Sequence, residues 1–318
     1  MGPDPAVAAT RLAVRRLGLA PGTVVVAVSG GADSLALLAA TLFEAREGGW
    51  NVVGATVDHG LQDGSAEHAA SVVKQMGALG VQETLTATVT VEPNGQGIEA
   101  AAREARYAVL GEVAERFSAQ AVLLGHTLDD QAETVLMGLT RGSGGRSIAG
   151  MRRAFGVYRR PFLDVTRAQT EAACRAEGIE WWTDPHNSDP RFLRSRVRHT
   201  VMPVLEAQLG PGVAQTLAGT GDLLREDLES LDQIAEDSMV GSAALKKLRG
   251  FPPAIRSRVL RMAALEAGAP ASELFRVHVD ALTDLVLDPR GREVQLPGLV
   301  TAYCDGDSLR FRKTLVTE

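Results

Sequence analysis

Apolar residues in the first part of the chain fall into four short runs, and a segment with helical periodicity follows each run. The runs cover residues 24–28, 51–57, 83–91 and 121–125, and the helical segments begin at Leu35, Ser65, Ile98 and Thr127. A further helix is predicted over residues 6–19. This strand–helix alternation predicts an α/β fold with a doubly wound parallel sheet, whose central strands are apolar on both faces.

The pattern changes after residue 204. Helical periodicity without intervening strands covers residues 213–239, 243–248, 253–267 and 273–287, and residues 293–311 read as a small β unit. We therefore expect a first domain over residues 1–204 and a second, smaller, mainly helical domain over residues 205–318.

The first strand runs into its helix through the string Ser-Gly-Gly-Ala-Asp-Ser, residues 29–34. Unpaired backbone N–H groups at a helix start, reached through glycines, favour a phosphate or pyrophosphate. A carboxylate beside polyphosphate, here Asp33, is best explained if Mg²⁺ lies between the two. An ordinary strand–helix turn with a Ser or Asp cap is the alternative.

A second polar stretch, His-Thr-Leu-Asp-Asp-Gln-Ala-Glu-Thr, follows the fourth strand at residues 126–134. Part of it has a structural explanation, because Thr127 with Asp130 resembles a capping box. Asp130 and Glu133 share a helix face, and Asp129 adds a third acid at the edge of the sheet where ligands bind. Such carboxylates repel one another unless a cation lies among them, either Mg²⁺ or the ammonium of an amine substrate.

Charge is unevenly distributed along the chain, whose net charge is −6. Residues 1–140 contain 8 Lys and Arg against 16 acids, whereas residues 141–200 contain 12 Arg, no Lys and 6 acids. An arginine-only segment between acidic ones predicts local polyanion binding, unless acids from elsewhere balance it on the surface.

The two cysteines, Cys174 and Cys304, do not form a Cys-x-x-Cys pair, which argues against a disulfide framework or a thiolate metal site. With no apolar run long enough to span a membrane, we expect a cytoplasmic protein.

The motifs together resemble the tRNA(Ile)-lysidine synthetases of the PP-loop ATP pyrophosphatase family. Besides the two stretches above, the resemblance rests on residues 57–61, 102–107, 141–151, 160–163, 182–187 and 192–203. It implies a ligase for tRNA modification. With ATP, such enzymes adenylate the C2 oxygen of the wobble cytidine in a CAU-anticodon isoleucine tRNA. Free L-lysine then displaces AMP and gives lysidine.

The resemblance also implies roles for particular residues. The ATP phosphates are expected at residues 29–34, that is Ser29, Gly30, Gly31, Ala32, Asp33 and Ser34. Mg²⁺ is expected at Asp33, alone or with Asp129. Lysine is expected at Asp130 and Glu133, and one of these or His126 would take its proton.

On the substrate side the resemblance implies four arginines: Arg103, Arg106, Arg194 and Arg198. Arg106 is the better catalytic candidate of the first two, although both are also explained as an exposed helix face. Residues 141–150 would form a loop that closes over the site. The sequence shows no obligate protein partner, and a homodimer is compatible with it.

Two other functions remain open. One is a PP-loop enzyme that adenylates a different acceptor, for tRNA thiolation or amidation; the absence of cysteine pairs and of a glutaminase partner speaks against it. The other is a non-catalytic nucleotide-binding module, which leaves Asp130, Glu133 and the arginine segment without a use.

Overall fold

The computed structural model of the 318-residue chain describes residues 2–58, 60, 64–89, 98–140, 144–184, 189–239 and 244–314. Its contacts divide the chain into two compact units, residues 1–222 and 223–318. The division lies inside one long helix and is later than the boundary predicted between residues 204 and 205, which stays a prediction.

The first unit is built on a mostly parallel sheet. Its strands are β1 (Gly22–Ala27), β2 (Trp50–Asp58), β3 (Glu83–Thr88), β4 (Ala121–Leu123), β5 (Ala154–Phe155) and β6 (Tyr158–Arg159). Their order is β3-β2-β1-β4-β6-β5, and among these strands β5 alone pairs antiparallel with its neighbour. The predicted α/β class with a parallel sheet is confirmed.

Helices α2 (Ala32–Gly48), α3 (Ser65–Ala78) and α4 (Ile98–Arg116) pack directly against the strands of this sheet. The other helices of the unit are α1 (Pro5–Arg15), α5 (Leu128–Thr140), α6 (Gly145–Ile148), α7 (Arg167–Ala176), α8 (Leu193–Arg196) and α9 (Met202–Leu209), and α10 (Val213–Met239) begins here and continues into the second unit. Val24 and Val26 pack into one apolar core with Leu35, whereas Val25 packs into another with Leu110. This two-sided burial explains the continuous apolar run that forms β1.

The strand order places the predicted functional loops side by side. β1 pairs with β2 on one side and β4 on the other, so the chain reverses its direction of winding at β1 and β4. Ligands of open α/β sheets bind at the carboxyl ends of the strands at such a point. The loops that follow β1 and β4 are the two polar stretches singled out in the sequence.

Between α5 and α9 lie elements that the sequence pattern did not predict. The hairpin of β5 and β6 extends the sheet beyond β4, a 3-10 turn (Pro161–Asp164) leads into α7, and a π-helical turn (Val197–Val201) joins α8 to α9. Helix α7 begins with a capping box in which Thr166 and Gln169 bond reciprocally.

The second unit is mainly helical and ends in a small antiparallel sheet, as predicted. Besides the end of α10 it contains α11 (Leu245–Gly250), α12 (Pro253–Glu266), α13 (Arg276–Leu287), β7 (Glu293–Leu296), β8 (Val300–Asp305) and β9 (Ser308–Lys313). Leu248, Leu260, Leu282 and Ala302 are fully buried in its core, so the sheet and the helices share one apolar interior.

Both cysteines are free thiols, Cys174 buried and Cys304 half-buried. In the part of the chain that the structure describes, the helices are either too short or too polar to cross a bilayer.

Candidate active site

The loop between β1 and α2 has the geometry of an anion site. Gly30 has a φ of +83°, and Gly31 precedes α2 without a side-chain cap. Because the first amides of a helix have no intrahelical acceptor, the N–H groups at the start of α2 are available to a ligand. The Ser34 hydroxyl donates to the Gly31 carbonyl oxygen at 2.9 Å and accepts from the Ser29 N–H at 3.1 Å, so it shapes the loop.

Two residues hold the opposite side of this loop. His68 Nε2 lies 3.0 Å from the Ser29 carbonyl oxygen, and the Trp182 backbone N–H donates to the Gly30 carbonyl oxygen at 3.0 Å. The two rings are in contact, with centroids 4.0 Å apart. A Cβ on Gly30 would lie 2.8 Å from Val72 Cγ2. The loop is therefore fixed by its carbonyl groups, and position 30 requires glycine.

The loop after β4 packs directly on the start of α2. A Cβ on Gly125 would lie 3.1 Å from the carbonyl group of Asp33 and 3.1 Å from the Ser34 nitrogen. The close approach brings residues 126–133 beside the phosphate loop, as the sheet order requires.

The predicted capping box at the start of α5 is present. The Thr127 N–H donates to Asp130 Oδ2 at 2.9 Å, and the Asp130 N–H lies 3.4 Å from Thr127 Oγ1. Glu133 follows one turn later and is 2% exposed. Asp130 and Glu133 thus form a buried acidic pair on one face of α5.

Guanidinium groups supply the positive charge for this acidic pair. Arg198 binds Glu133 through two hydrogen bonds, from Nε at 2.7 Å and Nη2 at 2.9 Å, and its Nη2 also lies 2.8 Å from Asp130 Oδ1. Arg194 Nε lies 3.8 Å from Glu133 Oε2. The resemblance implies substrate contacts for both arginines. In the structure Arg198 binds these carboxylates, and Arg194 donates from Nη2 to the Thr134 hydroxyl at 2.9 Å. The bidentate geometry makes the Arg198–Glu133 pair the strongest of these contacts.

Arg167 joins the acidic pair to the phosphate loop. Its Nη2 donates to Asp130 Oδ1 at 3.0 Å, its Nη1 lies 3.7 Å from Glu133 Oε1, and its Nε lies 3.5 Å from Asp33 Oδ2. Since one side chain reaches all three carboxylates, the two predicted stretches belong to one site.

Asp129 points to a different partner. Its Oδ2 accepts a 2.7 Å hydrogen bond from the Arg167 N–H, at the first turn of α7. The carboxylate thereby satisfies an otherwise unpaired helix amide and complements the helix dipole. Asp129 anchors the helix that carries Arg167.

Burial raises the pKa of Asp33 to about 6, with a contribution from the Asp130 charge and against the opposing effects of Arg167 and Thr170. The Thr170 hydroxyl lies within hydrogen-bonding distance of Asp33 Oδ1. In the described part of the chain, no three His, Cys, Asp or Glu residues form a metal cluster. The donor set suits Mg²⁺ nevertheless, because that ion is commonly held by one or two carboxylates together with substrate phosphates.

His126 is held by a buried arginine. Arg160, 4% exposed, donates from Nε to His126 Nδ1 at 3.2 Å and from Nη2 to the Tyr107 hydroxyl at 2.8 Å. Burial lowers the pKa of His126 to about 3; Arg160 and Arg103 lower it further, and Asp130 opposes them. The imidazole is therefore neutral and a weak base near pH 7.

Arg103 and Arg106 both lie on the exposed side of α4. The Arg103 guanidinium lies 5.6 Å from the centroid of the Tyr107 ring and is close enough to His126 to affect its pKa. The preference for Arg106 as the substrate contact stays a prediction.

The arginines of residues 191–198 face two different sides, the acidic pair and the solvent. Arg194 and Arg198 face the acidic pair, whereas Arg191 and Arg196 are exposed. Arg191 pairs with Asp189 and Arg196 donates to the Pro190 carbonyl oxygen. Of the other predicted features, His59, residues 141–143 and residues 185–188 lie outside the described residues.

A buried glutamine ties α5 to neighbouring segments. The Met151 N–H donates to Gln131 Oε1 at 2.6 Å, and Gln131 Nε2 donates to the Met151 carbonyl oxygen at 3.2 Å and to Asp222 Oδ1 at 3.4 Å. Arg153 also pairs with Asp222, in α10. This network fixes the helix that carries Asp130 and Glu133.

Three residues of the site have no role in the sequence-based interpretation: Arg167, Thr170 and Arg160, the last of which belongs to the resembling stretch 160–163. Arg160 and Arg167 belong to the arginine-only segment, whose composition predicts positive charge but not which way each side chain points. Arg167 directly follows Thr166, the first residue of a Thr-x-x-Gln capping pattern, so a helix start at this position was detectable.

Two protein families match consecutive parts of the chain. Residues 9–205 match the PP-loop domain family, and residues 244–315 match the TilS substrate binding domain.

Curated relatives match nearly the whole chain. A tRNA(Ile)-lysidine synthase from Streptomyces coelicolor is 46% identical, covering 98% of this chain and 100% of its own length. Another from Thermobifida fusca is 52% identical, covering 93% and 94%. A third, from Salinispora arenicola, is 49% identical, covering 92% of each chain.

Among solved structures, a U34-tRNA thiolase from Methanococcus maripaludis matches with a TM-score of 0.58 at 18% identity, covering 69% of this chain and 79% of the other. This likeness concerns the fold.

Proposed function

The chain belongs to the tRNA(Ile)-lysidine synthase family, and from that premise we propose that it joins lysine to the wobble cytidine of the CAU-anticodon isoleucine tRNA. It is an ATP-dependent ligase that forms a C–N bond. In the first step the C2 oxygen of the base attacks the α-phosphorus of ATP, and pyrophosphate leaves. In the second step the lysine side-chain amine attacks C2, AMP leaves with the oxygen, and the amine loses a proton.

The observation that supports this proposal best is the contact of Arg167 with both Asp33 and Asp130. The two half-reactions need a nucleotide site and an amine site a short distance apart, because the same base carbon meets both partners. One arginine side chain spans the distance between the phosphate loop and the acidic pair.

ATP is bound in this proposal by the phosphate loop. The first amides of α2 contact the phosphates, and Asp33 holds Mg²⁺, with Asp129 as a second candidate ligand. When bound, Mg²⁺ neutralises the charge of the departing pyrophosphate. The raised pKa of Asp33, caused by burial, is consistent with a carboxylate that gains a cation when substrate binds.

Lysine enters, we propose, at Asp130 and Glu133. Glu133 already has a close partner in Arg198, but its contacts with Arg167 and Arg194 are long, 3.7 Å and 3.8 Å. An entering ammonium exchanges most readily with these longer contacts. In this proposal one of the two carboxylates, which contact the entering ammonium directly, accepts the proton of the amine.

The tRNA contacts are proposed for arginines whose side chains are exposed. Arg191 and Arg196 present charge outward from the segment that also carries the inward-facing Arg194 and Arg198. We propose that the outward pair binds phosphates of the tRNA, which position the wobble base without reading sequence. Arg103 and Arg106 remain candidates for the substrate side.

The test is incubation of the full chain with ATP, Mg²⁺, labelled lysine and tRNA transcripts. We expect lysine incorporation and AMP release with the CAU-anticodon isoleucine transcript. Matched controls are a methionine transcript with the same anticodon and an isoleucine transcript with a GAU anticodon. Label in neither isoleucine transcript would contradict the proposal.

The same assay separates the alternatives. AMP release that depends on ammonia or a sulfur donor instead of lysine would indicate a different acceptor chemistry, and ATP binding without AMP release would indicate a non-catalytic module. Omission of Mg²⁺ tests the metal, and sedimentation tests the homodimer. A cytoplasmic location follows from the proposed tRNA substrate and is tested by fractionation.

A further inference from the structure

The Arg160 guanidinium is buried among neutral groups. It donates to His126 Nδ1, to the Tyr107 hydroxyl and to the Arg152 carbonyl oxygen, and it lies 4.6 Å from the centroid of the Phe155 ring. Burial of a cation without a carboxylate partner is costly, and its pKa is lowered accordingly. Among the described residues, no ion pair within 4.0 Å involves Arg160, so its cost of burial calls for a functional explanation.

The contact with His126 has a chemical consequence. A guanidinium only donates hydrogen bonds, so the ring nitrogen that faces it, Nδ1, accepts and carries no proton. The proton of the neutral ring is then on Nε2. The partner of one ring nitrogen fixes the state of the other, as is usual for functional histidines.

From this geometry we propose that Arg160 is a positioning residue that holds His126 as the Nε2–H tautomer, so that His126 donates a hydrogen bond at the reacting centre and does not accept a proton. The proposal rests on the proposed function, in whose second step the oxygen that leaves C2 with AMP gains negative charge. A fixed donor aimed at such an oxygen is an established way to lower a barrier.

The surroundings of His126 support a permanently neutral ring. Arg160, Arg103 and Arg194 disfavour a second proton, and Asp130 favours it. Burial is the largest cause of the lowered pKa, because the imidazolium would lose its hydration. The ring is therefore neutral through the physiological range, and the contact with Arg160 selects its tautomer.

The first test uses NMR of the ligand-free protein with ¹⁵N-labelled histidine. The imidazole ¹⁵N shifts distinguish protonated from unprotonated ring nitrogens, and the signal of His126 among the six histidines is assigned by its loss in His126→Ala. We expect a protonated Nε2, an unprotonated Nδ1, and no titration between pH 5 and pH 8. A protonated Nδ1, or an imidazolium in this range, would overturn the proposal.

The second test separates positioning from folding. In Arg160→Met we expect a mixture of tautomers and a fall in kcat of about 10- to 100-fold, the range typical when a histidine loses its orienting partner, with KM for ATP unchanged. Arg159→Met is the matched control, since Arg159 is the neighbouring arginine, whose side chain donates to the Gly156 and Tyr158 carbonyl oxygens and not to His126. It should leave the His126 signals unchanged. The same tautomer in Arg160→Met and wild type would refute the role of Arg160.

The third test distinguishes a donor from a base. The side-chain amide of glutamine supplies an N–H near the position of Nε2, so His126→Gln should retain more of kcat than His126→Ala. Equal loss in both variants would contradict a donor role. Failure of wild-type lysine incorporation would instead refute the proposed function, and the NMR result would stand by itself.

Discussion

Arg198 forms two hydrogen bonds with Glu133, from Nε at 2.7 Å and from Nη2 at 2.9 Å, and Glu133 is 2% exposed. Removal of the arginine leaves the buried carboxylate with its longer contacts to Arg167 and Arg194, at 3.7 Å and 3.8 Å. We expect Arg198→Ala to lower the free energy of unfolding by about 3 kcal/mol, the lower end of the range for a broken buried pair, measured by urea denaturation. Arg194→Ala is the control and should cost less, because its ion pair with Glu133 is 3.8 Å long. Equal losses would show that the bidentate geometry is unimportant.

Asp33 should make stability depend on pH. Its folded pKa of about 6 lies above the ordinary aspartate pKa of 3.8, so the folded state binds more protons than the unfolded state between these values. Stability from this group is therefore present at low pH and is lost as the pH rises through 6. In Asp33→Asn this loss disappears, and the variant should gain about 1–3 kcal/mol relative to wild type between pH 4 and pH 7.

The measurement is urea denaturation of both proteins across that pH range, together with AMP formation at pH 7.5. We expect the variant to release no AMP although it folds. A stability difference that does not change with pH would contradict the raised pKa.

Gly30 and Gly31 should respond differently to a methyl group. Gly30→Ala places a Cβ 2.8 Å from Val72 Cγ2 at a φ of +83°, so we expect a loss of about 1–3 kcal/mol of stability and weaker ATP binding. Gly31 is the matched control, because its φ is −81° and its Cβ would meet only Ser29 Oγ, at 3.7 Å. Thermal unfolding and ATP titration check both. A less stable Gly31→Ala variant would contradict this view of the loop.

Salt dependence should reveal which arginines meet tRNA phosphate. Arg191→Ala or Arg196→Ala should reduce the slope of log K against log salt concentration by about 1. Arg46→Ala, exposed at the end of α2, is the control and should leave the slope unchanged. Filter binding with the isoleucine transcript provides the measurement. An unchanged slope in both Arg191→Ala and Arg196→Ala would remove these residues from the tRNA interface.

The parts of the site that could be predicted from the sequence depend on residues that are close together in the chain. A run such as residues 24–28 is buried on both faces wherever it packs, and the Thr127–Asp130 box needs only a spacing of three residues. Right-handed crossovers then set which face of the sheet each helix covers, and the observed order β3-β2-β1-β4 brings the two loops together. These features depend little on distant residues.

The parts that were missed depend on tertiary contacts. Arg198 lies in a π-helical turn that begins at Val197, and Arg194 lies in the four-residue α8; neither element is indicated by the sequence pattern. The two-residue strands of the β5–β6 hairpin are too short for a pattern, yet they place Arg160 against His126. The sequence shows that an arginine is positively charged, but which acid it pairs with depends on the fold.

The hydrogen bond between Gln131 and Asp222 has a practical consequence for dissecting the protein. A recombinant fragment that stops at residue 205, where the PP-loop match ends, would leave out Asp222 and also Gly221, whose position beside Val135 leaves no room for a methyl group. Arg153 would lose an acid in the same truncation. A fragment intended for expression or crystallisation of the nucleotide-binding half should therefore extend through residue 222, even though that end point interrupts a helix.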